Sequence, residues 1–133
     1  MLDQMTDRLD FHAKALVLRS QRQQVIASNI ANADTPGYVA RDFDFASALK
    51  NATGTGTGNA VTTDPRHFSS VGAPPGGDPK LGYAVQTQPA QDGNSVDLDR
   101  ERASFVDNTI RYESTLRFIN GHVKTMLSAI TGQ

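Results

Sequence analysis

The strongest constraint on this chain is a heptad pattern near its C-terminal end. Leu98, Phe105, Tyr112, Ile119 and Met126 recur seven residues apart, and Thr109, Leu116, Val123 and Ile130 form a second row four positions on, with Arg102 opening that row as a polar exception. Side chains spaced alternately by three and four residues stay on one stripe of an α-helix, so a pattern sustained over more than four heptads predicts a long helix with a seam for another helix. From Asp97 to Thr131 that helix would reach about 50 Å at about 1.5 Å per residue. This exceeds the width of a compact domain built from 133 residues. The stretch "DGNSVDLDRE" precedes it: Asn94 or Ser95 can cap the helix, and the acidic residues suit its positive end. Asp107 with Arg111 and Glu113 with Arg117 stand four apart with the acid first, which supports the helix by a few tenths of a kcal/mol per pair, roughly. Gly121 costs the helix interior about 1 kcal/mol relative to Ala, so it marks a close approach by a neighbour. Phe118 points away from the seam.

A second long helix is predicted at the other end. From Leu2 to about Ala31 there is no Gly or Pro, and Gln, Arg, Leu and Ala are abundant. Leu2, Leu9, Leu16 and Ile30 lie on one heptad row, interrupted by Gln23, while Phe11, Leu18 and Val25 lie on another, nearly opposite. A short single domain can cover one such face from within but has little left for the second. Leu9, Leu16 and Ile30 are therefore assigned to the intramolecular seam with the C-terminal rows, and Phe11, Leu18, Val25 and Phe118 to faces for other subunits.

Between the helices the composition changes. Asn29, Asn32 and Asp34 have short polar side chains that bond nearby backbone and tolerate left-handed conformations, which ends the first helix. Thr35-Pro36-Gly37-Tyr38 then offers Pro and Gly at the central positions of a type II turn. An extended arm follows, carrying Val39, Arg41, Phe43 and Phe45, and Asp44 can cap a short helix containing Ala48 and Leu49. "NATGTGTGNA", Asn51 to Ala60, alternates Gly with Thr and lacks the Lys of a phosphate loop, so it reads as a linker. "VGAPPGGDPKLGY" continues the loop-rich zone, with one small hairpin expected around Leu81 to Val85. The predicted organisation is one elongated, mainly all-α domain: an N-terminal helix over 1–32, a turn, arm and short helix over 33–50, a flexible loop region over 51–94 and a C-terminal helix over 95–131. The two long helices pair as an antiparallel coiled-coil hairpin.

Several function classes are disfavoured. Net charge is −1, from 13 Lys and Arg against 14 Asp and Glu, which leaves no basic excess to attract nucleic acid. There is no Cys, hence no thiolate metal site or thiol nucleophile. His12, His67 and His122 lack ligand spacing, and "DGNSVDLD" lacks the glycine and terminal glutamate of a calcium loop. No nucleophile with a base and an orienting partner is apparent, so neither a catalytic residue nor a cofactor is expected. The N-terminus carries Asp3, Asp7 and Asp10 and no apolar run of signal-peptide length, and "ALVL" is far too short to enter a bilayer.

The turn and arm carry a resemblance. "ASNIANADTPGYVARDFDF" resembles the N-terminal signature of bacterial flagellar axial proteins, the rod and hook subunits, and "IANADTPGY" followed by "ARDFDF" is most similar to proximal members of the basal-body rod protein family. "DGNSVDLDRERASFVDNTIRYESTL" is similar to the C-terminal end of the same proteins. The resemblance covers about residues 1 to 50 and 92 to 130 and does not extend to the middle. It implies a structural subunit that packs by its helices into a helical tube, transmits torque and surrounds an export channel. The implied partners are other copies of the chain, neighbouring rod proteins, an adaptor at the rod base, the MS ring and the export gate. The implied location is the periplasmic rod, reached through the flagellar type III apparatus without a cleaved signal peptide. Heptads alone would equally suit a discrete soluble coiled-coil adaptor or chaperone. That alternative buries one seam and stops, whereas a contact made by two opposite faces propagates.

Overall fold

A computed structural model describes residues 1–54, 79–84 and 90–132. Helix α1 runs Leu2–Ala31, strand β1 Arg41–Asp42, helix α2 Phe45–Ala52, strand β2 Gly82–Tyr83 and helix α3 Leu98–Thr131. The fold is mainly helical, and α3 packs on α1 in the largest interface between its elements. The two helices are antiparallel: His12 lies beside Phe118 and His122, while nearer the turn Arg19 and Gln23 bond Asn108.

The helix boundaries follow local chemistry. Asp97, rather than Asn94 or Ser95, caps α3 by accepting from Arg100 N–H, and Gly132 closes the helix in the left-handed conformation. Asp107 and Arg111 pair at 2.9 Å on the exposed face. Asp44 caps α2 as expected, accepting from Ala46 N–H and the Ser47 hydroxyl. These bonds hold its carboxyl below the usual carboxylate range, the Ser47 hydroxyl contributing most. Helix α2 extends through Asn51 and Ala52, residues assigned above to the linker. The Gly/Thr run from Thr55 onward, His67 and Val85 lie outside the described residues.

Among the described residues strand β2 has no local hairpin partner. It pairs antiparallel with β1, Arg41 opposite Tyr83 and Asp42 opposite Gly82, and Ala84 N–H extends the ribbon to Ala40 C=O at 2.9 Å. The arm therefore lies between α1 on one side and β2 on the other. Ala40 and Phe43 are buried with Ala15, Leu18 and Ile26, forming a small apolar core at the turn end of the hairpin.

Candidate assembly interface

The turn is densely hydrogen-bonded. Tyr38 N–H bonds Thr35 C=O at 3.3 Å and Gly37 has φ +72°, the positive value a type II turn requires at that position. Helix α1 ends without any left-handed residue other than glycine, contrary to the sequence expectation: Asn32 sits at φ −101°. Side chains close the helix instead. Asn32 Nδ2 donates back to Ser28 C=O at 2.8 Å, its Oδ1 accepts from the Thr35 hydroxyl, and Asn94 Nδ2 lies 2.8–2.9 Å from the carbonyls of Asn32, Ala33 and Thr35. Two amide hydrogens facing three acceptors means that one bond is shared. Asn94, read above as a cap for α3, thus ties down the C-cap residue of α1 and the turn that follows it, from the far side of the chain. The segment around it is bound as closely: Gly37 N–H donates to Asp92 C=O, Ser95 N–H to Tyr38 C=O, and Ala40 N–H to the Ser95 hydroxyl. Asp34 and Pro36 stay exposed at the tip.

Asn29 performs the same service one turn earlier. Its side-chain amide is fully buried and pairs with both backbone groups of Arg41, donating to the C=O at 2.7 Å and accepting from the N–H at 3.1 Å, as a neighbouring strand would. Its Oδ1 also accepts from the Tyr38 hydroxyl. Glu101 of α3 bonds Asn29 too, and burial pushes its carboxyl pKa up, with Asp42 adding to the rise and the Asn29 bond, Arg100 and Arg22 opposing it. The Arg41 side chain is exposed. Arg22 reaches Asp42 at 3.4 Å, and the Arg19 guanidinium lies 4.2 Å over the Phe45 ring. Burial, then the charges of Arg111 and Arg22, lowers the Arg19 pKa.

This docking corrects the assignment of Leu18. It was placed on an outward face, yet it is buried and Val25 half-buried, because α2 and β1 pack on the side of α1 marked by Arg22 and Asn29. Phe11, two turns before Leu18, stays 43% exposed. The inner row shows the converse: Leu9, Leu16 and Ile30 are only half-buried.

On α3 the packed row is not an apolar one. The side facing α1 carries Glu101, Asn108, Thr115 and His122, seven residues apart, with Asn108 and Thr115 buried. Asn108 Nδ2 donates to Arg19 C=O at 2.9 Å and Gln23 Oε1 at 2.7 Å, and Gln23 Nε2 donates to the Thr109 hydroxyl at 2.9 Å. A polar layer of this kind fixes the register of paired helices. Arg102, Thr109, Leu116 and Val123 of the second predicted row each follow a packed residue directly, about 100° further round the helix, and Ile130 continues their row. Leu116, Val123 and Ile130 are accordingly 37%, 48% and 76% exposed and do not form the intramolecular seam. The first row lies between: Leu98, Tyr112, Ile119 and Met126 are half-buried and Phe105 largely exposed. The apolar stripe of α3 therefore runs beside α1 with one edge open along its length. Phe118 is 61% exposed, with His12 stacked on its ring. No atom comes within 4 Å of where a Cβ at Gly121 would sit, so the close approach inferred there is not made within the subunit.

An antiparallel hairpin that bonds its own corner and leaves an apolar stripe uncovered belongs to the class of structural assembly subunits. The model of the family described as flagella basal body rod protein matches residues 9–38, the stretch of α1 that ends in the Asn29–Tyr38 corner. The chain is 45% identical to the flagellar basal body rod protein FlgB of Yersinia enterocolitica over 98% of both chains. It is 44% identical to that of Salmonella typhimurium over 99% of both, and 42% identical to that of Cereibacter sphaeroides over 96% of both. The chain belongs to the FlgB family of flagellar basal body rod proteins, and its function is that of a structural rod subunit.

Proposed function

We propose that this chain builds the proximal rod of the flagellum, packing by its helices against neighbouring subunits in a helical tube that carries torque and surrounds the export channel. The observation that carries this reading is the open edge of the α3 stripe: the subunit's own α1 takes the polar row, and the apolar row beside it is left for other helices. Neighbours would be other copies and adjacent rod proteins, with an adaptor at the rod base, the MS ring and the export gate at the inner end. The chain would reach the periplasmic rod by type III export with no signal peptide removed. Among the described residues no helix is long and apolar enough to cross a membrane, in keeping with a place in the axial structure. The role is structural, not catalytic: Asp44 and Glu101, the carboxylates with shifted pKa, are engaged in capping α2 and bonding Asn29.

The mechanism is folding coupled to assembly. The end of the hairpin away from the turn has few internal partners, so it orders fully when neighbours supply the facing rows. Sedimentation velocity with circular dichroism over a concentration series tests this. A partly helical monomer that gains helix as it forms open-ended oligomers is expected. A fully helical dimer unchanged at every concentration would instead indicate a discrete coiled-coil adaptor.

A further inference from the structure

The polar layer between α1 and α3 is incomplete in one place. Its direction is set by two backbone carbonyls: the Thr109 hydroxyl donates to Phe105 C=O and so accepts from Gln23 Nε2, leaving Gln23 Oε1 to accept from Asn108, whose other hydrogen goes to Arg19 C=O. Both donors of Asn108 are thus used. Its Oδ1 is buried with no hydrogen-bond partner, although the residue is only 1% exposed. A buried acceptor left this way costs free energy unless something supplies a donor. Asn108 lines a cavity of about 160 Å³ with Ser20, Gln23, Thr109 and Tyr112. Thr109 and Tyr112 also belong to the apolar stripe, so the cavity continues into its open edge.

We infer that this groove receives a helix from a second copy of the chain, which places a side-chain N–H donor, an amide or guanidinium, on Asn108 Oδ1. The stripe needs an occupant as long as itself, and among the described residues only α1 and α3 have that length. The subunit's own α1 is already committed to the polar row. A net charge of −1 sets no strong repulsion between copies. Asn108 would then serve twice, fixing register within the subunit and selecting a donor-bearing helix between subunits. The inference rests on the rod reading and sharpens it by naming the groove and its occupant.

The chain has no Cys, so single-cysteine variants can carry a benzophenone label at one site. A mixture of ¹⁵N-labelled and unlabelled purified chain separates capture of a second copy from capture within one. Label at Leu116→Cys is expected to capture a helix peptide of the other copy at least tenfold more than label at Asp107→Cys, which lies nine residues away and therefore about 180° round α3 on its other exposed side. Adding Asn108→Ala should reduce that capture at least tenfold, while Asn29→Ala, which weakens the corner but leaves the groove and Oδ1 untouched, should leave it within twofold. Equal capture from both labels, or equal loss in both added variants, would overturn the inference. The rod reading is scored separately, by recovery of the unsubstituted chain in isolated basal bodies.

Discussion

The two ends of the hairpin are built on opposite plans. At the turn end almost every polar group is answered from within the chain: Asn94 and Asn32 close α1, Asn29 holds both backbone groups of Arg41, and Ser95 and Asp92 hold the turn. At the other end α3 presents Val123, Leu127 and Ile130 to solvent, and α1 begins with an exposed Leu2. Hydrogen bonds to backbone fix geometry without needing a partner molecule, whereas exposed apolar rows are satisfied only by surface brought to them. One end therefore sets the shape of the subunit and the other is completed in assembly.

Removing Asn94 should break this contrast most severely. Asn94→Ala strips donors from the carbonyls of Asn32, Ala33 and Thr35, and a loss of about 3 kcal/mol is expected in urea unfolding, since each buried group left unsatisfied costs about 1–3 kcal/mol. Asn29→Ala should follow at about 2 kcal/mol, by the same route, through the N–H and C=O of Arg41. Its loss should also raise hydrogen exchange in β1.

Exposed apolar positions should behave in the opposite way. Val123→Ser with Ile130→Ser should change monomer stability by less than about 0.5 kcal/mol, as surface substitutions usually do. The same pair should lower the yield of oligomers at least tenfold in sedimentation velocity.

The smallest effect concerns Glu101. Burial raises its carboxyl pKa in the folded chain above the unfolded value, so its contribution to stability is fully present at acid pH and is lost as pH rises through the carboxylate range. Glu101→Gln should flatten the fall in stability, read by urea unfolding, as pH rises through the carboxylate range. A steeper slope in the variant would contradict the assignment.

What the sequence made legible was local. Pro36-Gly37 foretells the turn and Asp44 the cap of α2, because each acts on backbone a few residues away. The heptads foretell both long helices and their stripe, since periodicity is a property of one helix. It does not say which helix covers the stripe, and so Leu116, Val123 and Ile130 were assigned inward while Leu18, covered by the docked arm, was assigned outward. Asn94 could not be read as the tie across the turn after α1, because its acceptors lie 59 to 62 residues away and no spacing rule links them. The polar row Glu101, Asn108, Thr115 and His122 was hidden for a related reason: a pattern of apolar residues directs attention away from the polar face that packs.

Hydrogen exchange with peptide-level resolution, on free chain and on assembled oligomer, tests the central claim most directly. The account predicts strong protection of residues 15–30 and 100–116 in the free chain, weak protection of residues 2–9 and 120–131, and a gain of at least about 100-fold at that second pair on assembly. Uniform protection of both long helices in the free chain, unchanged by assembly, would contradict it.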